Sequence, residues 1–374
     1  MSNQLLIHFS TLPDPRVERT KRYPLNEIIL LIICAALSGF EGWKQIKDFG
    51  EIKLEWLRKF LPYENGIPVD DTIARVMHKL DTKAFQSCFV SWMQSVVKTT
   101  DGDVVAIDGK TLRRSHDGAS GKSAIHMVSA WSSANGVVLG QEKTAEKSNE
   151  ITAIPELLNV LELKGCIVSI DAMGCQTAIA EQIVKHKADY ILALKGNQGC
   201  LHEEVKDFFN IAQAENFKGL KVKYHEEHDK GHGRIEHRQC WVLEANQTHF
   251  PSAAKWESLK QVVMIKSQRH IKEKTSEETR FYITSLAEEP QKLLHAVRQH
   301  WQVENALHWT LDVTFREDES RIRKEAAPEN YAMFRHITLN LLKLDTSRKA
   351  SIKRKRLMAS IDDDLRETLI RQGI

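Results

Sequence analysis

Two runs of β-branched residues each end on an aspartate. VVAIDGK (104–110) delivers Asp108, and IVSIDAMG (167–174) delivers Asp171. A third acid, Glu304, falls in a stretch where Val297, Trp301, Glu304, His308 and Leu311 step by four, three, four and three, the repeat of one helix face. Val297, Trp301 and Leu311 are expected to meet a sheet, so an unpaired carboxylate among them would be costly and calls for a cation or several donors. Three carboxylates are hard oxygen ligands suited to Mg²⁺ or Mn²⁺. Two such ions about 3.5–4 Å apart can activate an attacking water or hydroxyl and stabilise the leaving oxygen of a phosphodiester. The plain alternative makes Asp108 and Asp171 turn formers before Gly109 and Ala172, with Glu304 paired to an arginine. Singly, each acid fits the plain account better. Together, on a strand, strand and helix framework, they favour the metal.

Other polar residues stand close to these acids. Lys110, Arg113 and Arg114 follow Asp108 and either contact DNA phosphates or are simply solvated. Lys195, Asn197 and Gln198 end the run YILAL, at the loop edge where α/β sheets bind ligands, and an ordinary polar turn explains them equally well. Asp312, Glu317 and Asp318 are rival third acids. Histidines 225, 228, 232 and 237 suggest zinc, but their spacing fits no compact ligand set, so a hairpin exposing polar residues is the expectation. Trp241 and Trp256 are expected in the core, with stacking on a flipped base as the other use.

The elements that must position these groups can be read from periodicity. Residues 1–100 are expected to be helical, with apolar repeats over 28–37, 43–49 and 56–61. Asp70 or Asp71 should cap DTIARVMHKLD, and a further helix runs through Phe85, Phe89, Trp92 and Val96. That pair is compatible with a DNA-binding helix-turn-helix bearing Arg75, His78 and Lys79, although a bundle that merely packs suits the pattern better. From residue 101, strands at 103–107, 125–131 and 136–142 precede a helix at 149–163, a strand at 167–170, a helix at 175–187 and a strand at 190–194. A meander followed by alternating strands and helices implies a mixed α/β sheet with helices on its faces. Residues from about 215 to 287 read as a β-rich insertion with a hairpin turning near Gly231–Gly233, and Pro290 opens one long helix. The division is thus 1–100, 101–345 and a basic tail at 346–374.

The chain has 374 residues, 42% apolar and 28% charged, with a net charge of +3, too little to signal nucleic acid without local patches. One patch is TSRKASIKRKR (346–356), which the catalytic reading makes a DNA-backbone contact. The six cysteines form no CxxC pair, which suits reduced cytosolic usage. IILLIICAAL (28–37) is about half the length needed to cross a bilayer. A cytoplasmic protein without membrane contact is expected.

AIDGKTLRRS, SIDAMG, YILALKGNQ, GHGRIEHR and HWQVENALHWTLDVTFREDESR, with RYPLNEIILLIICAALSGFEGW and APENYAMFRHITLNLLK, resemble bacterial insertion-sequence DDE transposases, and most of all the H-repeat-associated proteins found with Rhs elements. The resemblance spans nearly the whole chain. It implies an RNase H-like core with a β-strand insertion before the third acid, preceded by a helical N-terminal domain. It also implies Asp108, Asp171 and Glu304 as the metal-binding triad, acting on double-stranded DNA at element ends and target, with a homodimer assembled on DNA. The wider relatives carry a tyrosine, an arginine and a lysine around the glutamate, at spacings that fall here on Val297, His300 and Leu311. His300, Arg298 and Arg321 are candidates to take over phosphate contact. The activities to weigh are cleavage with strand transfer, hydrolysis alone, and DNA binding by a non-catalytic relic.

Overall fold

The fold was taken from a computed structural model that describes residues 4–116, 121–144, 150–231, 233–272 and 274–372. Helices come first: α1 (Gln4–Phe9), α2 (Leu25–Leu37), α3 (Trp43–Ile52), α4 (Leu54–Leu57), α5 (Asp70–Lys79) and α6 (Thr82–Val96). Helix α2 carries apolar side chains all round and is buried on every face except at Asn26, as such a sequence requires. Asp70 and Asp71 lie in the first turn of α5, and the cap position is Val69 without a side-chain bond, so they act through the helix dipole instead.

The strands β1 (Val104–Thr111), β2 (His126–Ser132) and β3 (Val137–Lys143) form the expected meander. Helix α7 (Glu150–Val160), β4 (Ile167–Ile170), α8 (Thr177–Lys185), β5 (Asp189–Leu194) and α9 (Gly199–Ala214) follow. The insertion supplies β6 (Lys223–Gly231), β7 (Arg234–Glu244), β8 (Gln261–Ile271) and β9 (Lys274–Thr284). After them come α10 (Pro290–His300), a π-helical segment (Val303–His308), α11 (Trp309–Thr314), α12 (Ala327–Leu344), α13 (Ile352–Ile361) and α14 (Asp363–Gln372).

All nine strands form one sheet in the order β3-β2-β1-β4-β5-β9-β8-β7-β6. β4 runs parallel to β1 and β5 parallel to β4, while every other pair is antiparallel. The first five strands, with helices against them, form the expected mixed α/β sheet. The insertion prolongs that sheet beyond β5 rather than forming a body of its own. Helix α10 returns across β1, β4 and β5.

Helix α12 ties the parts together, with fifteen of its eighteen residues buried. The Asn340 amide donates to the Val138 carbonyl at 2.8 Å and accepts from the Val138 N–H at 2.9 Å, so the outer edge of β3 is satisfied by a helix instead of another strand. Asn330 donates to the Met77 and Leu80 carbonyls at 3.1 and 3.0 Å, fixing the end of α5. A single cluster of buried side chains runs from Leu5 in α1 to Ile370 in α14.

Within the described residues the basic stretch from 346 carries a pair of packed helices, α13 and α14, instead of a tail. Lys355 and Arg356 are buried, with Lys355 donating to the Leu342 carbonyl and Arg356 to those of Ala36 and Thr314. Arg366 is fully buried against the Trp56 ring. Of the basic residues in the 346–356 run, Arg348, Lys349, Lys353 and Arg354 are exposed.

Candidate active site

Register decides where the first two acids stand. Ile107 of β1 pairs with Ile170 of β4 as the last pair of a parallel ladder, so Asp108 and Asp171 each follow a residue of strands about 4.8 Å apart. Asp108 does not end its strand. β1 continues to Thr111 while still paired with β2, opposing Asp108 to Ser129, so the turn-former account fails for Asp108. Asp171 does leave its strand, and its carboxylate accepts from the Met173 N–H at 2.9 Å and the Gly174 N–H at 3.3 Å.

Glu304 reaches the same place by an interrupted helix. The expected single helix breaks after His300, and the chain winds as a π-helix over 303–308 before α11 resumes. One wider turn rotates the face: Val297 and Leu311 are buried, but Trp301 is 36% exposed and Glu304 is exposed rather than core-facing. Such bulges recur at functional sites. Trp301 stacks beneath the Arg280 guanidinium, 4.4 Å from the ring centre. Asp108, Asp171 and Glu304 line one cleft of about 550 Å³ with Lys195, His300 and Trp301.

Electrostatics single out Asp108. Burial, together with the charges of Glu150, Asp171 and Glu304, pushes its carboxyl up to about 7 against a backbone hydrogen bond from Gly109. His308 Nδ1 stands 3.5 Å from Asp108 but does not neutralise it, because burial and the nearby Lys110 hold that imidazole down at about 4. A half-buried carboxylate crowded by like charge is chemically suited to a divalent ion.

The rival acids are already paired. Lys110 Nζ contacts Asp312 and lies 2.7 Å from Glu317, and Arg113 lies 3.2 Å from Asp318. Burial would push Glu317 up, but Lys110 and Arg335 outweigh it and hold the carboxyl below its ordinary range. Lys110 is therefore a buried counter-ion, not a free phosphate contact. Asn197 and Gln198 are also committed internally: Asn197 donates to the Ala172 carbonyl at 2.6 Å and Gln198 to the Cys175 carbonyl at 2.7 Å, clamping the loop that follows Asp171. Asn197→Ala is expected to cut cleavage about tenfold by loosening that loop while leaving DNA affinity and its salt slope unchanged. A lost phosphate contact would lower both, and titrations at several salt concentrations tell the two apart.

Lys195 does face the cleft, as does His300, which hydrogen-bonds the Ser169 backbone. Arg114 and Arg321 are exposed outside it. Arg298 turns to Glu227 and Asp229, at 2.8 and 3.1 Å. Trp241 and Trp256 are buried. Sequence reasoning missed the cleft residues Lys206, Lys266 and Arg280, and also Glu150, whose carboxylate meets His126 Nε2 at 2.8 Å beside Gly109. Lys206 rides on α9, a helix that Leu201, Val205, Phe209 and Ala212 could have revealed.

Comparison with known proteins gives the family. Residues 99–341 match the family described as Transposase DDE domain, and residues 6–93 match its associated family, DDE_Tnp_1-associated. The chain belongs to the DDE transposase family. It is 45% identical over 361 residues to "Putative transposase YncI" of Escherichia coli O157:H7, covering 96% of this chain and 92% of that one. It is 43% identical over 363 residues to "H repeat-associated putative transposase YhhI" of Escherichia coli K12, covering 96% and 95%. A shorter relative, "Inactive transposase YbfQ" of the same strain, is 50% identical over 74 residues, 20% of this family member and 88% of that protein. Among the described residues no helix is long and apolar enough to cross a membrane.

Proposed function

We propose that this transposase-family protein cleaves DNA at element ends and joins the freed 3′-hydroxyl to a target, with Asp108, Asp171 and Glu304 holding Mg²⁺ or Mn²⁺. The observation that supports this most is the β1–β4 register, which sets two acids side by side on the cleft that Glu304 also lines. The donor set fits the ions: three hard oxygen groups, one of them half-buried among like charges. When bound, the ions would activate the attacking oxygen and stabilise the leaving one.

The chain's own residues do the rest. Lys195, Lys206, Lys266 and Arg280 line the cleft and can hold backbone phosphates across the acids. The Trp301 ring, braced by Arg280, gives an unpaired base an apolar face. Asn197 and Gln198 keep the Asp171 loop in position. Double-stranded DNA is the partner, as ends and as target, and joining two ends to one target calls for a dimer on DNA.

The test is a cleavage and joining assay with labelled terminal repeats and a target plasmid in Mg²⁺. Joined product is the expected result. Cut ends without joining would leave a metal-dependent nuclease, and bound but uncut ends would leave a DNA-binding relic.

A further inference from the structure

The long hairpin β6–β7 carries a second cluster of ligating groups. His228 and His237 are directly opposed in the antiparallel register. Their rings stack with centres 4.1 Å apart and planes 5° apart. Glu226 is two residues before His228 and so shares its face; its carboxylate lies 3.2 Å from His237 Nε2. One ligand atom from each of the three falls within 4.8 Å of the others, the only such set among the described residues. The sequence spacings of two and nine hide this set, because only strand pairing closes it. His225 takes no part, and His232 lies outside the described residues.

We infer that Glu226, His228 and His237 form a binding site for a divalent transition metal of the zinc class, separate from the acid cleft. Two imidazoles and one carboxylate favour Zn²⁺ over Mg²⁺, which prefers an all-oxygen shell. Bonds of about 2.0–2.1 Å place tetrahedral ligand atoms roughly 3.3 Å apart, a closure that side-chain rotation on an exposed hairpin supplies. The carboxylate already has an orienting partner, since the Tyr224 hydroxyl donates to Glu226 at 2.6 Å and itself accepts from Gln239 at 2.8 Å. Three protein ligands leave the remaining position to water or to a group from a bound partner. The structural effect is a clip across β6 and β7: β6 is the sheet's outermost strand, and a metal bridging His228 to His237 fixes its register. Gln239, on the same face, opposes Lys266 of the catalytic cleft across β8, so a fixed hairpin steadies one wall of that cleft.

The experiment is a titration of chelator-stripped full-length protein with Zn²⁺ alone, in competition with a chromophoric chelator and in excess Mg²⁺. A single tight Zn²⁺ per chain is expected. It should persist in Asp108→Asn, weaken at least tenfold in His228→Ala and in His237→Asn, and weaken about 10–100-fold in Tyr224→Phe. All substituted positions are on the exposed hairpin or in the cleft, and circular dichroism checks that each variant is folded. Absence of tight Zn²⁺ binding, binding that survives both histidine variants, or binding lost in Asp108→Asn would each overturn the assignment.

Discussion

Asp108→Asn is expected to abolish Mg²⁺-dependent cutting, by about a thousandfold or more, while making the metal-free protein more stable at pH 8. Both effects have one cause. The Asp108 carboxyl is half-buried beside Glu150, Asp171 and Glu304, and that desolvation and like charge push it up to about 7 from the usual 3.8. A raised carboxyl favours the folded state while it is protonated, so its contribution is full below about pH 4 and lost as pH climbs through 7. At about 1.4 kcal/mol per unit, the cost of holding it ionised at pH 8 is a few kcal/mol. Asparagine keeps the shape without the charge, so its unfolding free energy should vary less between pH 4 and 8 and exceed wild type at the upper end. Chemical denaturation in chelator across that range measures this. In wild type, protons compete with the ion for the same oxygens, so cleavage should fall as pH drops below 7. DNA affinity should stay within about twofold, since other groups carry the phosphates. If cutting persists in Asp108→Asn, Asp108 leaves the triad.

Lys110→Ala should cost about 3–5 kcal/mol of folding stability, because it strands buried charge. Its ammonium contacts both Asp312 and Glu317, and Glu317 is 2% exposed on its side chain with Arg335 as its remaining cation at 3.6 Å. Removing one partner of such a cluster costs more than the pair contributes. The companion change therefore discriminates: Lys110→Met with Glu317→Gln should recover most of the loss, a coupling that a double-mutant cycle reads directly. If Lys110 were a surface phosphate contact, stability would be unchanged and DNA affinity would fall. The same cluster sets Asp312, Glu317 and Asp318 apart from Glu304. Their charge is already spoken for by Lys110, Arg335 and Arg113.

Legibility followed interaction range. The strands around Asp108 and Asp171 were readable because β-branched runs bounded by turn residues report a local preference, and each acid followed its run in both sequence and structure. The β-rich insertion was readable for the same reason, with Gly231 pairing Arg234 at the end of its first hairpin. Helix α9 was missed although its apolar stripe is regular. The break after His300 could not be read, since VENALH repeats well enough for an α-helix, yet the chain there winds as a π-helix. Charge misled most. Lys110, Asn197, Gln198 and Arg356 look like surface groups near a DNA site, yet each bonds a partner distant in sequence or beyond its own turn.

The sequence by itself pointed to Asp108, Asp171 and Glu304 as the candidate acids and to the strands that carry the first two, because hydrophobic periodicity and the family motifs are written in contiguous residues. Only the tertiary structure decided which polar groups face the cleft and which neutralise one another. Parallel register set Asp108 beside Asp171, a π turn exposed Glu304, and hairpin pairing brought Glu226 to His228 and His237. Charges and ligands act over a few ångströms of space, and chain pairing fixes that distance without regard to separation along the sequence.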